Sequence, residues 1–117
     1  MSVKLVVLYP YPKDQENFEK AYTSEHIPLV AKSLTRLTKA AYTRVLMAPS
    51  GASPFCGIAE LYYPSLEALQ ADFSTPEAQV LNSHAASIST GGLPVTLVCE
   101  EETVAFAIPS QEAVRSQ

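Results

Sequence analysis

The sequence has no run of lysine or arginine, and its net charge is −4. A nucleic-acid surface needs clustered cations, so no nucleic-acid partner is expected. It also lacks long apolar runs. The longest are of strand length, short of the roughly 20 residues that a spanning helix requires, which argues against a membrane partner. Cysteine is scarce: Cys56 and Cys99 stand far apart, without CxxC spacing. Two free thiols packed as small apolar residues are expected rather than a disulfide staple. The first residues do not form a signal peptide, being too short and without a small-residue cleavage site, so the expected location is cytoplasmic. Also missing are GxGxxG, a phosphate-binding loop, GxSxG and a His/Cys cluster with zinc spacing. No cofactor and no metal are expected.

What remains is an ordinary globular composition, 47% hydrophobic and 17% charged over 117 residues, enough for one domain with a single core. Residues 3–9 read as a strand that is apolar on both faces, with Val3, Leu5, Val7 and Tyr9 on one side and Val6 and Leu8 on the other. Asp14 is an N-cap for an amphipathic helix carrying Phe18, Ala21 and Tyr22. That pattern is interrupted near 25–28 and resumes through Leu29, Val30, Leu34 and Leu37. It fits either one helix kinked at Pro28 or two in series. Strands are expected at 40–48 and 55–63 as a hairpin around a Pro/Gly/Ser loop. Ser65 caps a third helical piece, and Thr75-Pro76 opens a fourth to about residue 86. After Gly91-Gly92 a last strand covers 94–99, with a continuation toward 106 left open.

The order is β-α-β-β-α-β, the ferredoxin-like arrangement: a four-stranded antiparallel sheet with helices on one face. The doubly apolar first strand requires cover on the other face as well. A second copy of the chain supplies it most simply, giving a homodimeric α/β barrel. The domain spans 1–106, followed by a C-terminal tail at 107–117.

His26, one of only two histidines, stands two residues before Pro28 in Glu25-His26-Ile27-Pro28-Leu29. Proline suits the first turn of a helix. An imidazole just ahead of a helix start would be kept neutral by the helix dipole. If the preceding helix continues, Tyr22 and His26 share a face at i and i+4 and could act as an acid–base pair. The alternative is a structural histidine bonded to backbone at the kink. Glu25 is expected to point elsewhere.

The strand ending in Tyr9-Pro10, the spaced Phe18 and Tyr22, and the Glu-His-Ile-Pro-Leu segment resemble the EthD family, named for ethyl tert-butyl ether degradation, within the dimeric α+β barrel superfamily. The resemblance implies a barrel dimer with a pocket between sheet and helices. It also implies an association with oxidative degradation of ethers or aromatic compounds. Related small barrels include polyketide monooxygenases, isomerases and haem-degrading monooxygenases. Some haem-degrading relatives carry an iron ligand where His84 stands, but they also use a tryptophan, which this chain lacks. A polar helix end is the other reading of His84.

Substrate contacts are expected from Glu60 on the third strand, with Arg44 on the paired strand as its cation. Cys56, Ile58, Glu60 and Tyr62 share a face by alternation. With the first and third strands expected to run parallel, Tyr9 and Tyr11 would meet Tyr62 and Tyr63 as a cleft for a flat apolar ligand. The resulting expectation is an EthD-like protein acting on a small apolar or aromatic molecule. It would be a cofactor-independent oxidoreductase or isomerase, with His26 and Tyr22 catalytic and Tyr9, Tyr11, Arg44, Glu60 and Tyr62 binding substrate. The alternatives are a non-catalytic binding or assembly module and a haem monooxygenase.

Overall fold

The computed structural model describes residues 2–107. Residues 108–117, most of the expected tail, lie outside the described part. Strands β1 (Ser2–Pro10), β2 (Lys39–Arg44), β3 (Phe55–Tyr63) and β4 (Val95–Glu101) form one antiparallel sheet in the order β2-β3-β1-β4. Helices α1 (Gln15–Ala21), α2 (Ile27–Ser33), α3 (Leu66–Asp72) and α4 (Pro76–Ile88) cover one face. This is the ferredoxin-like fold. No described helix is long and apolar enough to cross a membrane.

Local chemistry starts three of the four helices where expected. The Asp14, Ser65 and Thr75 side chains accept from the backbone N–H of Asn17, Ala68 and Ala78, satisfying donors that a helix end leaves free. Pro76 occupies the opening turn of α4. β2 is shorter than expected: the chain leaves the sheet after Arg44, and Leu46 and Met47 are exposed.

The stretch around Pro28 is neither a kink nor two separate helices. The chain runs helically from Gln15 to Ser33, and Tyr22–His26 between α1 and α2 is a π-helical segment. The Ile27 N–H donates to the Tyr22 carbonyl, five residues back. Pro28 explains the widening: it has no N–H for the Ser24 carbonyl, and its ring would crowd that oxygen in an α-helix. His26 itself is helical, with φ −72° and ψ −47°. It does not sit ahead of a helix start, and the dipole argument for its neutrality fails.

Strand direction also corrects the sequence reading. β1 and β3 are adjacent but antiparallel, pairing Val3 with Tyr63, Lys4 with Tyr62 and Tyr9 with Gly57. The helical crossover makes β1 and β2 point the same way. β3 then returns from the hairpin and fits between them, antiparallel to both. The tyrosines at 9–11 and 62–63 therefore lie at opposite ends of the pair and form no common cleft.

The register assigns the faces. Leu5, Val7 and Tyr9 pair with Leu61, Ala59 and Gly57 and turn toward the helices, where they are buried. Gly57 is required there: a Cβ would stand 2.1 Å from the Tyr42 hydroxyl oxygen. Lys4, Val6 and Leu8 pair with Tyr62, Glu60 and Ile58 on the opposite face, which no described helix covers. Cys56 does not join that row. It lies beside the bulge opposite Tyr9 and Pro10, its thiol bonds the Pro10 carbonyl, and it packs in the core.

Candidate functional site

Between sheet and helices lies a cavity of about 450 Å³, within the usual size range of small-ligand sites. Leu5, Val7, Ala59 and Leu61 form its floor, and Leu69, Phe73, Leu81 and Ala85 its helical wall. Thr96 and Val98 of β4 and the exposed Leu93 bound one side. Among the described residues, no lysine, arginine, aspartate or glutamate lines it. Its polar groups come from Tyr9, Tyr22, His26, Asn82 and Thr96.

An aromatic row brings His26 to this wall. Phe18, Tyr22 and His26 follow at four-residue steps, with ring centroids 5.9 Å and then 5.3 Å apart. Tyr9 crosses Tyr22 edge-on at 5.8 Å, and Tyr42 of β2 packs 4.3 Å from it. Desolvation moves these hydroxyls away from ionisation. Tyr22 is pushed up to about 12, and Tyr9 and Tyr42 are also raised, in each case chiefly by burial. Tyr22 at neutral pH is thus a proton donor and not a base.

His26 is 5% exposed. Burial, reinforced by the like charge that His84 could carry, lowers its pKa to about 4. It is neutral at pH 7 for this reason, not because of a helix dipole. Its Nδ1 lies 2.9 Å from Nδ1 of His84, with the rings nearly parallel at 13°. His84 Nε2 lies 3.1 Å from the Glu25 Oε1. The histidine's companion is therefore the chain's other histidine, from α4. Glu25 contacts His84 and not His26. Both ring nitrogens of His84 thus face protein partners. Among the described residues, no group of three or more His, Cys, Asp or Glu could hold a metal ion.

The other expected contacts lie elsewhere. Glu60 is on the uncovered sheet face and pairs with Lys4 at 2.5 Å, not with Arg44. Arg44 bonds Glu19 through Nε at 3.0 Å and remains largely exposed. Tyr62 lies on the same face as Glu60, under the ammonium of Lys39 at 4.3 Å. Tyr11 is 39% exposed at the end of β1, with its carbonyl where a Cβ on Gly91 would stand. None of these four lines the cavity; Tyr9, Tyr22 and His26 do. Sequence reasoning weighed His84 only as an iron ligand or a polar helix end and did not join it to His26, and it did not place Asn82 at the cavity. Two histidines, one on each helical layer over the same sheet face, were the available signal.

The comparisons with known proteins agree with the fold. The family model of the EthD domain matches residues 11–88. A crystal structure of an ethyl tert-butyl ether degradation (EthD) family protein from Bacillus halodurans superposes with TM-score 0.79 at 32% identity, covering 87% of this chain and all of that one. A dimeric ferredoxin-like protein of unknown function from Jannaschia has TM-score 0.63 at 13% identity, covering 86% of this chain and all of that one, a likeness of fold alone. An uncharacterized 11.0 kDa protein of Rhodococcus erythropolis, from the thcB-thcC intergenic region, is 29% identical over 103 residues, which is 86% of this chain and 96% of that protein. The chain belongs to the EthD family.

Proposed function

We propose that this protein is a small acid–base enzyme of the EthD family that removes a proton from an uncharged, apolar or aromatic substrate, with His26 as the base. The observation that carries the reading is a neutral, buried imidazole on the wall of an otherwise apolar cavity. A cavity lined by no charged side chain favours a neutral ligand, since an ion would lose its hydration without a partner. Its volume matches a molecule of one or two rings, such as an aryl ketone or an ether breakdown product. Tyr22, protonated at working pH, serves as the accompanying hydrogen-bond donor.

Proton removal next to a carbonyl, or from a phenol, is the first step shared by isomerisation and by cofactor-free oxygenation of an electron-rich anion. Both fit a role in breaking down ethers or aromatic compounds. The working unit in this reading is a homodimer. Val6, Leu8, Ile58 and Leu97 form an apolar strip on the sheet face away from the helices, and relatives of the same fold are described as dimeric.

Hydrogen–deuterium exchange tests the reading without knowledge of the complete reaction. A panel of aryl ketones and β-diketones is incubated with the protein in D₂O and followed by NMR. Exchange at the carbon beside the carbonyl faster than in buffer alone, and lowered toward that background by His26→Gln in a folded protein, is the expected result. If no probe binds or exchanges, and His26→Gln weakens only folding or dimerisation, the chain is a binding or assembly module. Leu97→Asp, in the apolar strip, should convert the dimer to monomer in sedimentation. An unchanged mass, or a monomeric wild type, would remove the dimer from the reading.

A further inference from the structure

We infer that Glu25 and His84 act as positioning residues that hold His26 in its Nδ1–H tautomer, leaving Nε2 as a bare lone pair for the substrate. The inference follows from counting donors and acceptors along the chain Glu25–His84–His26. An ionised carboxylate can only accept. The contact between Glu25 Oε1 and His84 Nε2 is therefore made by a proton on His84 Nε2. With a single ring proton, on Nε2, His84 has an unprotonated Nδ1. That nitrogen can only accept, so the 2.9 Å contact between the two Nδ1 atoms is made by a proton on His26 Nδ1. A neutral His26 then carries no proton on Nε2. A doubly protonated His84 would instead donate from Nδ1 and put the His26 proton on Nε2, the outcome that overturns the inference. No hydrogen bond from Nε2 is made to any described residue, and the ring stands in the cavity wall.

The arrangement opposes the habit of the side chain. Free neutral histidine prefers its proton on Nε2, the wrong place for a base that must use that atom. The relay reverses the preference with two hydrogen bonds, and neither Glu25 nor His84 lines the cavity. When Nε2 takes a proton from the substrate, His26 becomes an imidazolium with both nitrogens protonated. Its Nδ1–H still donates to His84, and Glu25 remains an anion at the far end of the chain. The same proton leaves from Nε2 to product or water, so the relay is unchanged after turnover. Fixing the tautomer of a ring nitrogen through a bond to the other nitrogen is a general device of histidine catalysis.

The tautomer is open to direct measurement. Its use in turnover rests on the proposal that His26 is the base. The ¹⁵N-labelled protein at neutral pH, observed by long-range ¹H–¹⁵N NMR, should show a pyridine-like Nε2 and a pyrrole-like Nδ1 for His26, and a pyrrole-like Nε2 for His84. His84→Leu removes the acceptor and should move the His26 proton to Nε2, with deuterium exchange of a responsive ketone falling by roughly 10²-fold, the low end of what a positioned base contributes. Glu25 is exposed, so its variants should fold even if His84→Leu does not. Glu25→Ala should give a mixture of His26 tautomers, and Glu25→Gln, whose amide oxygen still accepts from His84, should restore the wild-type signals. A wild-type His26 protonated on Nε2 overturns the inference, as does a tautomer indifferent to both His84→Leu and Glu25→Ala. If the Nδ1–H tautomer is found but no ketone exchanges, the relay stands and the proposed reaction is what fails.

Discussion

The two faces of one sheet come from the same strands, residue by residue in alternation, yet they differ in chemistry. The face under the helices presents Leu5, Val7, Ala59 and Leu61 to a cavity whose lining carries no formal charge. The other presents Val6, Leu8, Ile58 and Leu97, and across them the Lys4–Glu60 pair with Glu101 3.9 Å from the same ammonium. On the first face Tyr9, Tyr22 and His26 are buried, and desolvation raises the tyrosines and lowers the histidine. On the second the polar groups are matched cation to anion at the surface. Burial alone does not make a site. On the cavity face a nitrogen has no partner among the described residues, and on the outer face the charges satisfy one another.

That contrast can be broken by experiment, beginning with the largest effect. His26→Gln should lower ketone exchange by roughly 10²–10⁴-fold, the span credited to a positioned base. Glu60→Gln should leave the rate unchanged; a comparable loss from both would end the distinction between the faces. Next, Leu81→Ala, removing a side chain 3% exposed in the cavity wall, should cost about 3 kcal/mol in urea unfolding. Leu97→Ala on the outer face, 47% exposed, should cost the fold less than about 1 kcal/mol, and equal losses would contradict the assignment of the core.

Acidification comes third. The folded state holds the His26 pKa at about 4 against the ordinary 6.5, so the unfolded chain takes up a proton first as pH falls. The stabilisation this represents is complete above pH 6.5 and is lost toward pH 4, about 3 kcal/mol in all. Urea midpoints measured across that range should fall in wild type and fall less in His26→Gln. Parallel curves would mean that His26 is solvated. The smallest effect is expected from Lys4→Met. Its partner is partly exposed, so the pair contributes about 0.5–1 kcal/mol to the monomer, and exchange in the cavity should be untouched.

Much of the fold was legible because it is written locally. Asp14, Ser65 and Thr75 each cap the helix that follows them, and alternation in β1 separated Leu5 and Val7 from Val6 and Leu8 before any pairing was known. Alternation says which residues share a face but not which face is covered or which way a neighbouring strand runs. Glu60, Tyr62 and the meeting of the tyrosines were misplaced for that reason. His26 could be singled out by its scarcity and its neighbours. His84 could not be joined to it, because the contact spans 58 positions and depends on how two helices lie side by side. The π segment was half visible: Pro28 announced a disturbance, but a helix can absorb a missing donor by widening as well as by breaking.

That widening has a consequence for descent. A π turn holds one more residue than the α turn it replaces, so the stretch Tyr22–His26 is equivalent to an insertion that never left the helix. A relative with an unbroken α-helix here could keep both flanking helices seated only by being one residue shorter. Aligned residue for residue instead, its histidine would be turned away from the α4 histidine by about 100°, the angle of one helical step. Gaps in this family's sequences should therefore fall beside the proline. Whether a member carries the proline, and not merely the histidine, should tell which members can form the two-ring contact.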